Sequence, residues 1–462
     1  MDRFKTTSRR KETRFGGGTR SAVSRRPRSR SLPGDVTPVH HYRLSSGLQV
    51  VVCPRPHLSQ CQVSLFAGVG SRHESSETNG LTHMLEHMLF RGTASHADAT
   101  ALNAAAEGIG GFLEGATYRD HMLLATACHP ATVIEAVDIL GEIATSPRFR
   151  AIEIERAILR EELLETVDSR GRIVDLDNIA HQAVFGSEGL GLPIEGTPNN
   201  LDRFSRSDLE RHRDRFLLDS NAVVAVAGAV DAEHIRDTVE AAFASMPTGE
   251  PPMDRPSRLP VGKPVLRFVR DASSQIDIRV TFRGAPVHDP EYPALVMLAR
   301  LLADGLASRM HAELVDRRGL AYALHAGLTT YADDGLFDFD VSVAPDRAAE
   351  AVEAILEFAR ASSRFRFNRA EIDRVRRRYQ YGLAFMEDSA ADLAGWHGRA
   401  ALFGTARELD ALGHRISRLD ETRIRRVARR VFSPETLVVT AVGELGRGQL
   451  TKMKRLVSGF GG

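Results

Sequence analysis

Hydrophobic and polar positions along the chain run through the same pattern twice. After the Ser45-Ser46-Gly47 turn, Leu48, Val50, Val51 and Val52 form a short β-branched run, and Val63, Leu65 and Ala67 follow as an alternating one. Both read as strands. Gly68-Val69-Gly70 breaks the second strand, and apolar residues recur at helical spacing from near Leu81. The second pass opens with alternating Ile276, Ile278 and Val280, turns at Gly284-Ala285-Pro286, and continues as a helical run from Pro293 to about Leu302, leading to Ala307-Ser308-Arg309. The closing segments match as well: Asn221 to Gly228 reads NAVVAVAG and Thr436 to Gly443 reads TLVVTAVG. Strand, turn and helix recurring in register predict two α+β domains of similar build.

A length of 462 residues suits such a duplication better than a single core. Between the repeats, Met246 to Pro264 carries six prolines among glycines and charges, a composition that cannot continue a helix and predicts a linker. The expected layout is a tail at 1–36, a first domain at 37–247, a linker at 248–263, a second domain at 264–448 and a tail at 449–462. The first stretch is rich in Arg, Ser and Gly, with Asp2 and Glu12 its only acids up to Pro33, and holds too few apolar residues to bury anything. It predicts disorder. Its Arg-rich, acid-poor character also fits a mitochondrial transit peptide, except that Phe4 and Phe15 stand alone and make no apolar face.

Net charge +1, with 42% hydrophobic and 26% charged residues, describes an ordinary globular protein and argues against a nucleic-acid partner. Cys53, Cys61 and Cys128 are an odd set without CxxC spacing, which fits a reducing compartment better than a disulfide framework. No apolar run is long enough for a membrane span or a secretory signal. These features predict no membrane association and a bacterial cytoplasmic location, with the mitochondrial matrix as the alternative.

The candidate chemistry lies at Gly80 to Gly92, GLTHMLEHMLFRG, where helical periodicity puts His83 and His87 one turn apart on one face. Leu81, Met84, Leu85, Met88, Leu89 and Phe90 make this an apolar helix in which two histidines and a carboxylate are costly to bury without a partner. A metal ion removes that cost. Glu86 rises beside such a metal, where a general base is needed. Hydrolytic zinc keeps one position open for water, so one further protein ligand is required. An acidic helix at Ile152 to Asp168, IEIERAILREELLETVD, offers it: Glu155 and Glu162 lie two turns apart on one face, and Glu161 points about a hundred degrees away.

With GSRHE at Gly70 to Glu74, NGLTHMLEHMLFRGT at Asn79 to Thr93, ERAILREE at Glu155 to Glu162 and PIEGT at Pro193 to Thr197, the chain resembles the pitrilysin and insulinase family of zinc peptidases with the inverted HxxEH motif. It resembles most the mitochondrial processing peptidase-like branch, over about Val39 to Gly443. The resemblance implies mixed, mostly antiparallel sheets packed with helices, two such domains forming a clamshell-like chamber, and a metalloendopeptidase acting on unfolded or presequence-like peptides. It selects Glu162 as the third zinc ligand, Glu155 as its supporting acid and Glu86 as general base. It implies an oxyanion role for Tyr322 in the segment RGLAY, and a substrate-holding strand at Glu114, Gly115, Ala116 and Thr117. A homodimer, or a heterodimer with a homologous subunit, is the implied assembly.

Two departures stand out. Val315 occupies the position where the family usually has an arginine, and Glu114 replaces an asparagine, which predicts a preference for basic peptides. The second repeat carries Val296, Met297, Leu298 and Ala299 where the metal helix would lie, so one zinc per chain is expected. The competing expectation is a non-catalytic, peptide-binding scaffold subunit.

Overall fold

The computed structural model describes residues 38–250, 252, 262–321, 324–364 and 366–461. The N-terminal tail, most of the expected linker and Tyr322 lie outside the described residues. The described residues form one compact unit.

Strands β1 (His40–Arg43), β2 (Gln49–Pro54), β3 (Cys61–Ala67), β4 (Leu113–Thr117), β5 (Met122–Cys128) and β6 (Ala222–Gly228) build the first sheet in the order β1-β2-β6-β3-β5-β4. Strands β7 (Val265–Arg270), β8 (Ile276–Arg283), β9 (Leu324–Thr330), β10 (Gly335–Val343) and β11 (Val438–Gly443) build the second in the order β7-β11-β8-β10-β9. Without β1, the two orders are the same, and each sheet has its parallel pair at the same place, β2 with β6 and β7 with β11. The duplicated pattern in the sequence is therefore a duplicated topology. β4 and β9 occupy equivalent edges.

The helices of the first half are α1 (Leu81–Leu89), α2 (Ala99–Gly108), α3 (Val133–Thr145), α4 (Ile152–Thr166), α5 (Leu176–Phe185), α6 (Pro198–Arg203), α7 (Arg206–Phe216) and α8 (Ala232–Ala242). Those of the second are α9 (Tyr292–Ala303), α10 (Ala348–Ser362), α11 (Arg369–Met386), α12 (Ala390–Leu402), α13 (Ala406–Ser417), α14 (Glu421–Val431) and α15 (Arg447–Ser458). Among the described residues no helix is long and apolar enough to cross a membrane.

Each sheet is covered on both faces, which explains why β6 is buried at every position. On one face Val50, Val52, Val63, Leu65, Val224 and Val226 pack with the helices of their own half. The alternate residues Val51, Cys53, Phe66, Val223 and Ala225 meet Ala390, Leu393, Ala394 and Ala401, from α12 of the other half. Gly398 sits against this sheet, where a Cβ would collide with Phe66 and stand 2.9 Å from the Ala225 Cβ. The exchange is reciprocal: Val184 and Phe185 of α5 pack with Leu336, Tyr331 and Val438 of the second half. Each half thus lends a helix to the other's sheet.

One expectation needs correction. The stretch 449–462 is not a tail, because α15 buries Met453 and Val457, with Phe460 beyond its end, in the second core. Apolar spacing of three and four residues makes this an amphipathic helix.

Candidate metal centre

The site is built on α1, whose start is held from two sides. Gly80 caps the helix with a left-handed φ of 96°, and a Cβ there would stand 2.9 Å from both Glu195 O and Gly196 Cα. Only glycine meets both demands. Buried Glu74 accepts from the first free amides: Oε2 from Gly80 N at 2.8 Å and Asn79 Nδ2 at 3.0 Å, and Oε1 from Thr82 N at 2.7 Å. Burial raises the Glu74 pKa above the usual carboxylate range, against the pull of these same hydrogen bonds.

His83 and His87 project from one face of α1, with ring centroids 4.7 Å apart and planes at 83°. Glu162 of α4 meets both: its Oε1 lies 3.5 Å from His83 Nε2, and its Oε2 lies 3.6 Å from His87 Nε2. One ligand atom from each of the three residues lies within 4.8 Å of the others. Ligands about 2.0–2.1 Å from a tetrahedral zinc stand about 3.4 Å apart, so this donor set fits the ion and leaves a fourth position. Among the described residues it is the one such cluster of His, Cys, Asp and Glu. The Glu162 pKa is lowered by its hydrogen bond to His83 and the charges of both histidines, with burial opposing.

Glu155, two turns before Glu162, stays out of the cluster and touches the far side of His87. Its Oε1 accepts from His87 Nδ1 at 2.9 Å, and its other oxygen is held by Arg91. A proton on Nδ1 leaves the Nε2 lone pair facing Glu162, the arrangement that carboxylates impose on metal-ligating histidines. Burial lowers the His87 pKa, but the Glu155 hydrogen bond and the charges of Glu86 and Glu162 more than offset it, and the net shift is upward. Glu161 is exposed and takes no part.

Glu86 is 7% exposed, and burial raises its pKa, partly countered by His87 and His83. It lies under β4. Thr117 Oγ1 stands 3.5 Å from its Oε2, and a Cβ on Gly115 would overlap the carboxylate and approach Phe90 Cε2 to 2.6 Å. The absent side chain at Gly115 is what lets the strand lie on the site.

Residues 49–198 match the family described as Insulinase (Peptidase family M16), and residues 203–379 match the Peptidase M16 inactive domain. The chain belongs to the insulinase family of peptidases. It is 28% identical to a probable mitochondrial-processing peptidase subunit beta of Arabidopsis thaliana, across 87% of this chain and 78% of that protein. It is 26% identical to an uncharacterised zinc protease of Streptomyces coelicolor, across 91% and 93%, and 24% identical to one of Bacillus subtilis, across 86% and 96%. These names support a peptidase. The fold matches the crystal structure of a protease from Helicobacter pylori with TM-score 0.81 at 18% identity, covering 89% of this chain and 100% of that one. It also matches a peptidase M16 inactive domain from Pseudomonas fluorescens, with TM-score 0.81 at 17% identity, covering 89% and 98%.

The inactive-domain match begins after Glu162, so His83, His87 and Glu162 all lie in the segment that matches the Insulinase family. In the second half, α9 takes the place of α1, and its Met297 and Leu298 are buried core residues, with Ala299 close to them in exposure. β4 pairs with β5 alone among the described strands and exposes Glu114 and Gly115, while Ala116 and Thr117 are half-buried. Val315 lies in the π-helical turn His311–Arg317. The neighbouring Arg317 and Arg318 both bind Glu313, at 2.6 and 2.9 Å.

Sequence reasoning missed Glu74, Arg91 and the steric role of Gly115. Arg91 stands four residues after His87, a spacing that put it within reach. Glu74 carried only the signal of an acid shortly before the helix start.

Proposed function

We propose that the protein is a zinc-dependent endopeptidase for unfolded peptides, with His83, His87 and Glu162 as ligands. The observation that carries the reading is the meeting of these three groups beside a buried fourth carboxylate, Glu86, under an open strand edge. Bound zinc supplies polarisation of the scissile carbonyl and acidification of a water molecule. Glu86 takes the proton from that water as its oxygen bonds to the carbonyl carbon, and passes it to the amine nitrogen when the C–N bond breaks. The free edge of β4 binds the peptide backbone as an added strand, and Glu114 favours basic side chains. Tyr322 is the proposed oxyanion partner, and a second homologous chain the proposed companion that closes the site against water.

The test is a zinc measurement with a chelator control. About one zinc per chain is expected, with peptide cleavage lost on chelation and regained when zinc returns. Zinc near zero in freshly purified protein, or chelator-resistant cleavage, would overturn the proposal. The scaffold reading is favoured by Val315 and by the likeness to inactive M16 domains, and predicts zinc binding without cleavage.

A further inference from the structure

The edge strand β4 has one neighbour in its sheet, yet the end it reaches at Thr117 is tied to the other half of the molecule. The strand runs into a tight turn, in which Tyr118 N donates to His121 O at 2.8 Å and the Tyr118 and His121 rings stack at 4.3 Å. Arg119, in this turn, is 3% exposed. Its guanidinium donates to Asp177 Oδ2 at 2.9 Å, to Asn178 Oδ1 at 2.8 Å and to Leu192 O. Asp177 lies on α5, the helix lent to the second sheet. Its other oxygen, Oδ1, accepts from Arg279 Nη1 at 2.5 Å. Arg279 belongs to β8 and grips Asp340 of β10 through Nε at 2.6 Å and Nη2 at 3.2 Å.

We propose that Arg119, Asp177, Arg279 and Asp340 are positioning residues, a chain of charged contacts through which the metal-free half sets the position of β4 over the metal centre. This rests on the reading of β4 as the peptide-binding edge. The alternating charges span both halves without a gap: turn, α5, second sheet. Stability alone does not account for them, because apolar side chains already fasten α5 to that sheet and ion pairs to half-exposed acids such as Asp177 and Asp340 add little. What charged, directional contacts add is a defined position. β4 needs one, since Gly115 leaves no slack between the strand and Glu86. The contact between Arg72 Nη2 and Asp333 Oδ1, at 3.0 Å, ties the neighbouring segment to the second half in the same way.

The experiment compares the full chain with its Arg279→Gln and Asp340→Asn variants by amide hydrogen exchange, with zinc content and steady-state peptide cleavage measured alongside. Asp340→Asn changes a carboxylate that is 29% exposed and leaves Asp177 in place, so it serves if Arg279→Gln does not fold. Exchange in residues 113–117 should rise about tenfold, while β3 and α1 keep their protection. KM should rise about tenfold with kcat within about twofold and zinc content unchanged. Unchanged exchange at 113–117, or exchange rising equally in β3 and α1, would overturn the proposal. If the parent protein cleaves no peptide, the endopeptidase reading fails, and the exchange comparison still decides whether the second half holds β4.

Discussion

At the residue scale the sharpest contrast lies between neighbours on α4. Glu162 faces the two histidines, Glu161 faces solvent, and Glu155 faces the back of His87. Glu162→Gln removes the charge of the proposed ligand and should weaken zinc at least about tenfold, while Glu161→Gln should stay within about 0.5 kcal/mol of the parent in stability. Glu155→Gln should fall between them, because it loosens His87 and leaves Arg91 without its acid. Parallel zinc titrations read all three, and a larger loss for Glu161→Gln than for Glu162→Gln would refute the phasing of α4. The positions of the histidines were legible because helical spacing alone puts them on one face. The choice of Glu162 over Glu155 needed the family resemblance, since both share a face. Glu74 and Gly115 act across segments distant in sequence, and no local pattern announces such contacts.

At the element scale, β4 lying on α1 decides the geometry of Glu86, the proposed base. Gly115→Ala places a methyl where the Glu86 carboxylate now stands, so either the strand or the carboxylate must shift. Cleavage should fall about a hundredfold, the cost of misplacing a catalytic group by about 1 Å, while zinc affinity stays near that of the parent. Kinetics combined with a zinc titration check this, and a Gly115→Ala enzyme of full activity would show that the strand stands clear of the base. Most elements were legible from period, including the strand of NAVVAVAG and the helix from Leu81. What period could not give was the destination of α5 and α12: an amphipathic helix declares that it covers something, not which sheet. The fully apolar run of β6 was the available hint, because a strand buried on both faces requires a second cover.

At the scale of the whole molecule, the halves meet through a shared ionic seam, and Asp338, a buried acid beside it, should make stability depend on pH. Burial raises the Asp338 carboxyl to about 7, with Asp340 and Asp177 adding to the rise and Arg279 and Thr281 opposing it. Thr281 Oγ1 donates to Asp338 Oδ1 at 2.6 Å. The folded state therefore holds a proton that the unfolded chain releases near about 3.9. The stability linked to this proton is fully present below about 3.9, declines as pH rises, and is gone above about 7. Asp338→Asn keeps the hydrogen bond and should flatten that decline, as denaturant melts at pH 4.5, 6 and 7.5 would show. An unchanged slope would remove Asp338 from the account. The duplication was legible at this scale, while the interlocking of its halves was not, because it is made by side chains distant in sequence.

The central claim, that a buried carboxylate beside a zinc cluster performs hydrolysis, meets its most direct test in the Glu86→Gln variant. Glutamine keeps the shape of the side chain and cannot take the proton from water. Cleavage of an unfolded basic peptide by zinc-loaded parent and variant, each with zinc content verified, is the measurement. The account predicts equal zinc and a loss of about 10³-fold or more in turnover; a zinc-loaded variant that cleaves at the parent's rate would contradict it.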